Sequence, residues 1–150
     1  PATELYSLSD TPGFLTLKCA DVSAAEKDTP AFVCRRMQHH KFESTTRMLF
    51  NPANEKDKAG MLLFKDEKHQ YLFAVNRQGE NKSVFLKRIG NTKEIYLKVI
   101  SQGTHYDFYY SLKGEKDWTL LCKDVDASYL STTTAGGFTG SVIGLYATCK

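Results

Sequence analysis

The sequence predicts an all-β fold built from antiparallel strands in a sandwich or barrel. Three features carry this: short runs in which apolar and polar residues alternate, turn formers between those runs, and no amphipathic helix of useful length. Alternation matters because successive side chains on a strand point to opposite faces, so one face is buried while the other meets water. About ten such runs at regular spacing fit two stacked antiparallel sheets. No repeat of blade-like period is visible, which argues against a propeller.

The chain is organised around residues 31–50. Residues 31–38 read as one strand, rich in branched and aromatic side chains and preceded by Pro30, which disfavours a helical turn before it. Residues 42–50 read as the next, with Phe42, Ser44, Thr46, Met48 and Phe50 on one face and Glu43, Thr45 and Arg47 on the other. The two are expected to be neighbouring strands joined by His39, His40 and Lys41. Upstream, residues 5–8 and 14–18 are short extended pieces separated by Asp10, Thr11, Pro12 and Gly13, where proline and glycine supply turn chemistry. Residues 19–29 are polar and alanine-rich and read as a loop with room for one helical turn at 24–27.

Downstream, residues 61–65 and 69–76 form a predicted hairpin across Asp66, Glu67 and Lys68. Residues 83–89 and 94–100 form a second across Gly90, Asn91 and Thr92. Ile95, Leu97 and Val99 alternate with Glu94, Tyr96 and Lys98, the mark of a half-buried strand. In residues 104–112, Tyr106, Phe108, Tyr110 and Leu112 alternate with Asp107, Tyr109 and Ser111. A turn at 113–116 leads into a strand at 118–122, residues 126–130 read as a single helical turn, and 132–137 as flexible. Residues 138–146 are the last strand-like run.

A chain of 150 residues, 41% hydrophobic and 25% charged, fits one globular domain with a substantial core. It reads as either a mature chain or a fragment of something longer, with no signal-peptide pattern and no apolar run of membrane-spanning length. Its net charge of +3 is scattered, which points away from nucleic acid, and no membrane partner is expected in the absence of a spanning apolar run. Cys19, Cys34, Cys122 and Cys149 lack zinc-site spacing, Cys34 reads as a core thiol, and disulfides stay an open question. His39 and His40, if on a strand, face opposite ways and do not share a metal; His69 and His105 stand alone. Most acids, among them Glu55, Asp57, Asp66 and Glu115, fall in predicted turns, so no carboxylate pair for sugar hydrolysis emerges. Gly136 and Gly137 lack the lysine and helix of a phosphate loop, and no Ser or Cys nucleophile motif is present.

The aromatic residues are more suggestive, since Tyr96 and Tyr109 offer flat faces on which sugar rings pack, although half of any such set must face a sandwich core. Adjacent Arg35 and Arg36 must point opposite ways, one into a groove and one across a sheet face.

The segments PGFLTLK, TPAFVCRRMQHH, AGMLLFKDEKHQYLFAV, YDFYYSLKGEKDWTLL and GGFTGSVIGLYA follow one another in an order and spacing that resembles a known family. It is the concanavalin A-like β-sandwich at the C-terminus of family 43 glycoside hydrolases, the β-xylosidases and α-L-arabinofuranosidases. Arg35, Arg36, Met37 and Gln38, the Ala59 and Gly60 pair, and Phe138 to Gly140 leading to Gly144, Leu145 and Tyr146 carry the likeness most specifically. Tyr106 to Trp118 is shared more widely among concanavalin A-like modules.

The resemblance implies a jelly-roll sandwich over residues 1–150, part of a longer enzyme whose catalytic carboxylates sit on a separate five-bladed propeller. It implies that this propeller is the partner, and that residues 19–29, with Asp28 near their end and no aromatic, correspond to a loop that closes the catalytic pocket in some members. Family members usually carry one more strand at either end, and in some relatives those terminal strands hold calcium; their counterparts are not found in this sequence, so no cofactor or metal is expected.

The chain alone is therefore expected to be non-catalytic, an accessory domain of a xylan- or arabinoxylan-degrading enzyme, periplasmic or secreted. An independent sugar-binding module is the alternative. Candidate substrate- or interface-facing residues are Asp28, Arg35, Arg36, Gln38, His40, Tyr96 and Tyr109.

Overall fold

The computed structural model describes residues 4–79, 81–84, 87–90, 94–137 and 140–149, with residue 78 and the strands at 81–84 and 87–90 described by backbone alone. Among the described residues, twelve strands form two main antiparallel sheets and a small hairpin. They are β1 (Tyr6–Ser7), β2 (Thr16–Leu17), β3 (Ala31–Arg36), β4 (Lys41–Leu49), β5 (Lys58–Asp66) and β6 (His69–Gln78). The second half supplies β7 (Asn81–Val84), β8 (Lys87–Gly90), β9 (Glu94–Gln102), β10 (His105–Ser111), β11 (Thr119–Asp126) and β12 (Val142–Thr148). One sheet runs β11-β10-β9-β4 and the other β3-β12-β5-β6-β7-β8. The predicted all-β sandwich is what is observed.

The core lies between these sheets. Met61 and Leu63 of β5, Phe73 and Val75 of β6 and Ile143 of β12 meet Leu97 and Val99 of β9 and Tyr106, Phe108 and Tyr110 of β10. Phe73 and Phe108 touch edge to face across the interface with ring centroids 5.2 Å apart. The predicted alternation in β4 holds, with Phe42, Ser44, Thr46 and Met48 half-buried and Glu43, Thr45 and Arg47 exposed. Strand β5 is buried on both faces. Its outer side, with Leu62 and Phe64, packs with Phe32, Leu72, Tyr146 and Ala24 into a second apolar cluster. The segment at residues 20–24 lies over that cluster: Ala24 donates its N–H to the Tyr146 hydroxyl (3.1 Å), and Thr148 Oγ1 donates to the Ala20 carbonyl (3.1 Å).

Several expectations need correction. Strands β3 and β4 follow each other in sequence but belong to different sheets, because β3 pairs with β12 and β4 with β9. The four residues between them carry the chain from one layer to the other, so His39 and His40 lie in that link and not on a strand. The second predicted hairpin is also re-paired. Strand β7 pairs with β6 and with β8, which lies at the edge of the six-stranded sheet, while β9 joins the other sheet. Asn91 and Thr92 of its expected turn lie outside the described residues, as do Phe138 and Thr139 of the last run, whose strand spans Val142–Thr148.

Leu112, expected beside Tyr110 in the core, is 42% exposed because β10 ends at Ser111. Cys34 is exposed on the outer side of β3 and not a core thiol; all four cysteines are free. Residues 132–137, read as flexible, contain a one-turn helix α1 (Thr132–Ala135), whose cap Ser131 accepts from the Thr134 N–H. The room for a helical turn at 24–27 is filled instead by a single reverse turn, Glu26 N–H to Ser23 carbonyl (3.1 Å). The early turn closes one residue later than predicted, with Phe14 N–H on the Thr11 carbonyl and Gly13 at φ +83°, a conformation that favours glycine at the third position.

The predicted turn at 126–130 is a 3-10 helix at Ala127–Leu130. Asp126 caps it by accepting from the Ser128 N–H (2.8 Å). Ala127 and Leu130 anchor it in the core, Tyr129 donates its hydroxyl to the Lys68 carbonyl (2.6 Å), and Tyr71 donates to the Asp126 carbonyl (2.7 Å). The helical turn therefore plugs one end of the sandwich.

Candidate functional site

The seven candidate residues are dispersed over the molecule. Asp28 lies exposed in the 19–29 segment, its carboxylate accepting from the neighbouring Thr29 N–H (2.7 Å). Arg35 and Arg36 do point to opposite sides of the six-stranded sheet, as adjacent strand residues must.

Arg35 lines an open groove of about 350 Å³ between the sheet edges formed by β3 and β4. Val33, Met61 and Leu145 lie in the same groove, and Val33 is 41% exposed, so the two sheets part company here.

Tyr96 and Tyr109 share the outer face of the four-stranded sheet, where their strands β9 and β10 are adjacent. Tyr109 is cross-strand from Lys98, whose ammonium sits 5.2 Å from the Tyr109 ring centre and 4.2 Å from that of Trp118. This cation–π stack covers the aromatic faces a sugar ring would use. Tyr96 belongs to a polar network instead. Arg47 donates to Glu94 at 3.0 Å, and the bonds from Arg47 and then Tyr96 hold the Glu94 carboxyl below its usual range. Reciprocally, the bond to Glu94 raises the Tyr96 phenol.

Gln38 and His40 are the two candidates brought together. Both line a cleft of about 440 Å³ at the end of the sandwich, walled by the β3–β4 link, the β9–β10 turn and the 3-10 helix with α1. Its inner wall holds Tyr106, 5% exposed, whose hydroxyl donates to the Met37 sulfur at 3.8 Å. Burial, with Tyr71 nearby, pushes that phenol up to about 12. Tyr106, Thr104 and Thr132 were not singled out for this cleft by sequence reasoning; the signal that pointed near it was the polar run Gln38, His39 and His40. Among the described residues, neither the Arg35 groove nor the end cleft has Asp or Glu in its lining. Among the described residues, no three His, Cys, Asp or Glu side chains gather as a metal would need, and no helix is long and apolar enough to cross a membrane.

The family model of the β-xylosidase C-terminal concanavalin A-like domain matches residues 1–150. The chain belongs to that family. This concanavalin A-like domain is 31% identical to a xylosidase/arabinosidase of Butyrivibrio fibrisolvens over 96% of its own length and 30% of the relative's. It is 28% identical to the non-reducing end alpha-L-arabinofuranosidase BoGH43B of Bacteroides ovatus, over 98% of the chain and 30% of that enzyme. A solved structure described as Bacteroides ovatus xyloglucan PUL GH43B superposes with a TM-score of 0.84 at 26% identity, covering 99% of the domain and 32% of that chain. The domain thus spans about 30% of the length of the curated relatives it matches.

Proposed function

We propose that this chain is the accessory, non-catalytic domain of a xylan- or arabinoxylan-degrading glycoside hydrolase, packing on a catalytic propeller and shaping its substrate pocket. The observation that carries the reading is the match itself: the whole chain aligns with under a third of enzymes named xylosidase or arabinofuranosidase. Glycoside hydrolysis needs two carboxyl groups about 5–10 Å apart around the bond, and among the described residues neither the Arg35 groove nor the end cleft is lined by a carboxylate, which supports placing the chemistry elsewhere. The 19–29 segment suits docking because its base is fixed to the sheet through Ala24 and Thr148 while Asp28 and its neighbours stay exposed. A segment held this way loses little entropy on meeting a partner.

The test uses the parent enzyme with and without this domain. Removing the domain is expected to lower kcat/KM at least tenfold on a nitrophenyl xyloside or arabinofuranoside, with activity recovered when the domain is added back in trans, a change of about 1.4 kcal/mol or more. Unchanged turnover together with no association between the two pieces would sink the proposal.

A further inference from the structure

We propose that the end cleft beside Gln38 and His40 binds a neutral, polyhydroxylated ligand, a single sugar ring, at a site separate from any docking surface. Loop 19–29 leads into the Ala31 end of β3, whereas the cleft opens beyond its Arg36 end, so the two lie at opposite ends of the sandwich. The inference therefore does not rest on docking.

Four observations converge on a neutral polyol. The cleft volume falls in the range of about 300–1,000 Å³ usual for small-molecule sites. Among the described residues its lining includes no Asp, Glu, Lys or Arg, so nothing there is built to hold an ion, while Ser, Thr, Gln and His are abundant. Tyr106 is a buried residue whose hydroxyl, among the described residues, has a thioether as its hydrogen-bond partner, a poor acceptor that leaves a strong donor underused. A sugar hydroxyl entering the cleft would give it a proper acceptor.

The walls complete the complement. Ser141 spends its proton on the Leu130 carbonyl at 2.6 Å, which leaves its oxygen lone pairs as acceptors, while Ser101 donates to the His40 carbonyl at 2.6 Å and already accepts from the Gly103 N–H at 3.4 Å, keeping one lone pair to offer. Gln38 and Thr132 stand exposed at the rim as further donors and acceptors. Phe42, with its ring 6.3 Å from that of Tyr106, supplies an apolar patch for the C–H side of a ring.

Calorimetry and ligand-observed NMR on the 150-residue chain test this with xylose, xylotriose and glucuronate. Saturable binding of xylose or the end of xylotriose with a Kd of about 1 mM is expected, with glucuronate bound more weakly. Tyr106→Phe and Gln38→Ala should each weaken it about fivefold, the loss of one hydrogen bond, and Thr132→Trp at the exposed rim should abolish it by filling the mouth. Thermal melting of each variant confirms that it is folded. No saturable binding up to about 50 mM sugar, stronger binding of glucuronate, or binding indifferent to all three substitutions overturns the assignment.

Discussion

Gly60 and Gly144 sit where neighbouring backbones leave no room for a side chain. A Cβ on Gly60 would lie 2.2 Å from the Phe73 carbonyl oxygen, and one on Gly144 would lie 2.3 Å from that of Val33. Those obstacles are backbone within a sheet and cannot swing aside. Gly60→Ala and Gly144→Ala are each expected to cost about 3 kcal/mol, read as a lowered urea midpoint, whereas Gly13→Ala meets no atom within 4 Å and loses only what its positive φ demands. Tyr106 gives a second prediction at this scale. Burial favours its neutral form, so its folded value of about 12 exceeds the ordinary tyrosine value of 10.0. Below pH 10 both folded and unfolded chains hold the proton and nothing is lost. Between pH 10 and pH 12 the unfolded chain alone releases it, and stability should fall by about 2 kcal/mol. Tyr106→Phe should keep its midpoint at neutral pH and lose that share of the alkaline fall; an unaltered alkaline limb would show that the phenol is not shielded.

Among the elements, the β5–β6 hairpin has the most local chemistry. Asp66 accepts from the His69 ring (2.8 Å) and from the Lys68 and His69 N–H groups (both 2.9 Å). Burial raises the Asp66 carboxyl, but these bonds outweigh it and leave the group below its ordinary value. A lowered carboxyl contributes stability above the unfolded pKa and loses it as pH falls through the folded one. Asp66→Asn is therefore expected to flatten the acid side of the stability profile, measured as urea midpoint from pH 6 down to about pH 3. This hairpin was legible in the sequence because a strand, a tight turn and a returning strand are all local. The faces of β4, β9 and β10 were legible for the same reason: period two needs no knowledge of the partner. Pairing was not. The link at 37–40 has the length of a hairpin turn yet crosses between layers, because β3 pairs with β12 and β4 with β9, strands more than forty residues further on that no local pattern identifies. The candidate site was read less well, as its seven residues are individually sensible but only Gln38 and His40 converge, and the buried Tyr106 hydroxyl became visible only when residues 37 and 106 met.

At the scale of the whole molecule, the strand order places β12 between β3 and β5, with Val142 opposite Arg36 on one side and Phe64 on the other. Among the described residues, nothing else pairs with β3. Deleting residues 142–150 should leave no cooperative unfolding transition and a collapsed amide NMR spectrum; a deletion variant that still melts sharply would show the remaining strands to be self-sufficient. The same arrangement has a bearing on biosynthesis. As a nascent polypeptide leaves the ribosome, its first long strand must wait, unzipped, for more than a hundred residues until the one that clasps it emerges. During that interval Phe32 and Val33 are open to stray pairing, so yield in a cell should depend on translation speed and on whatever chaperone shelters the waiting edge.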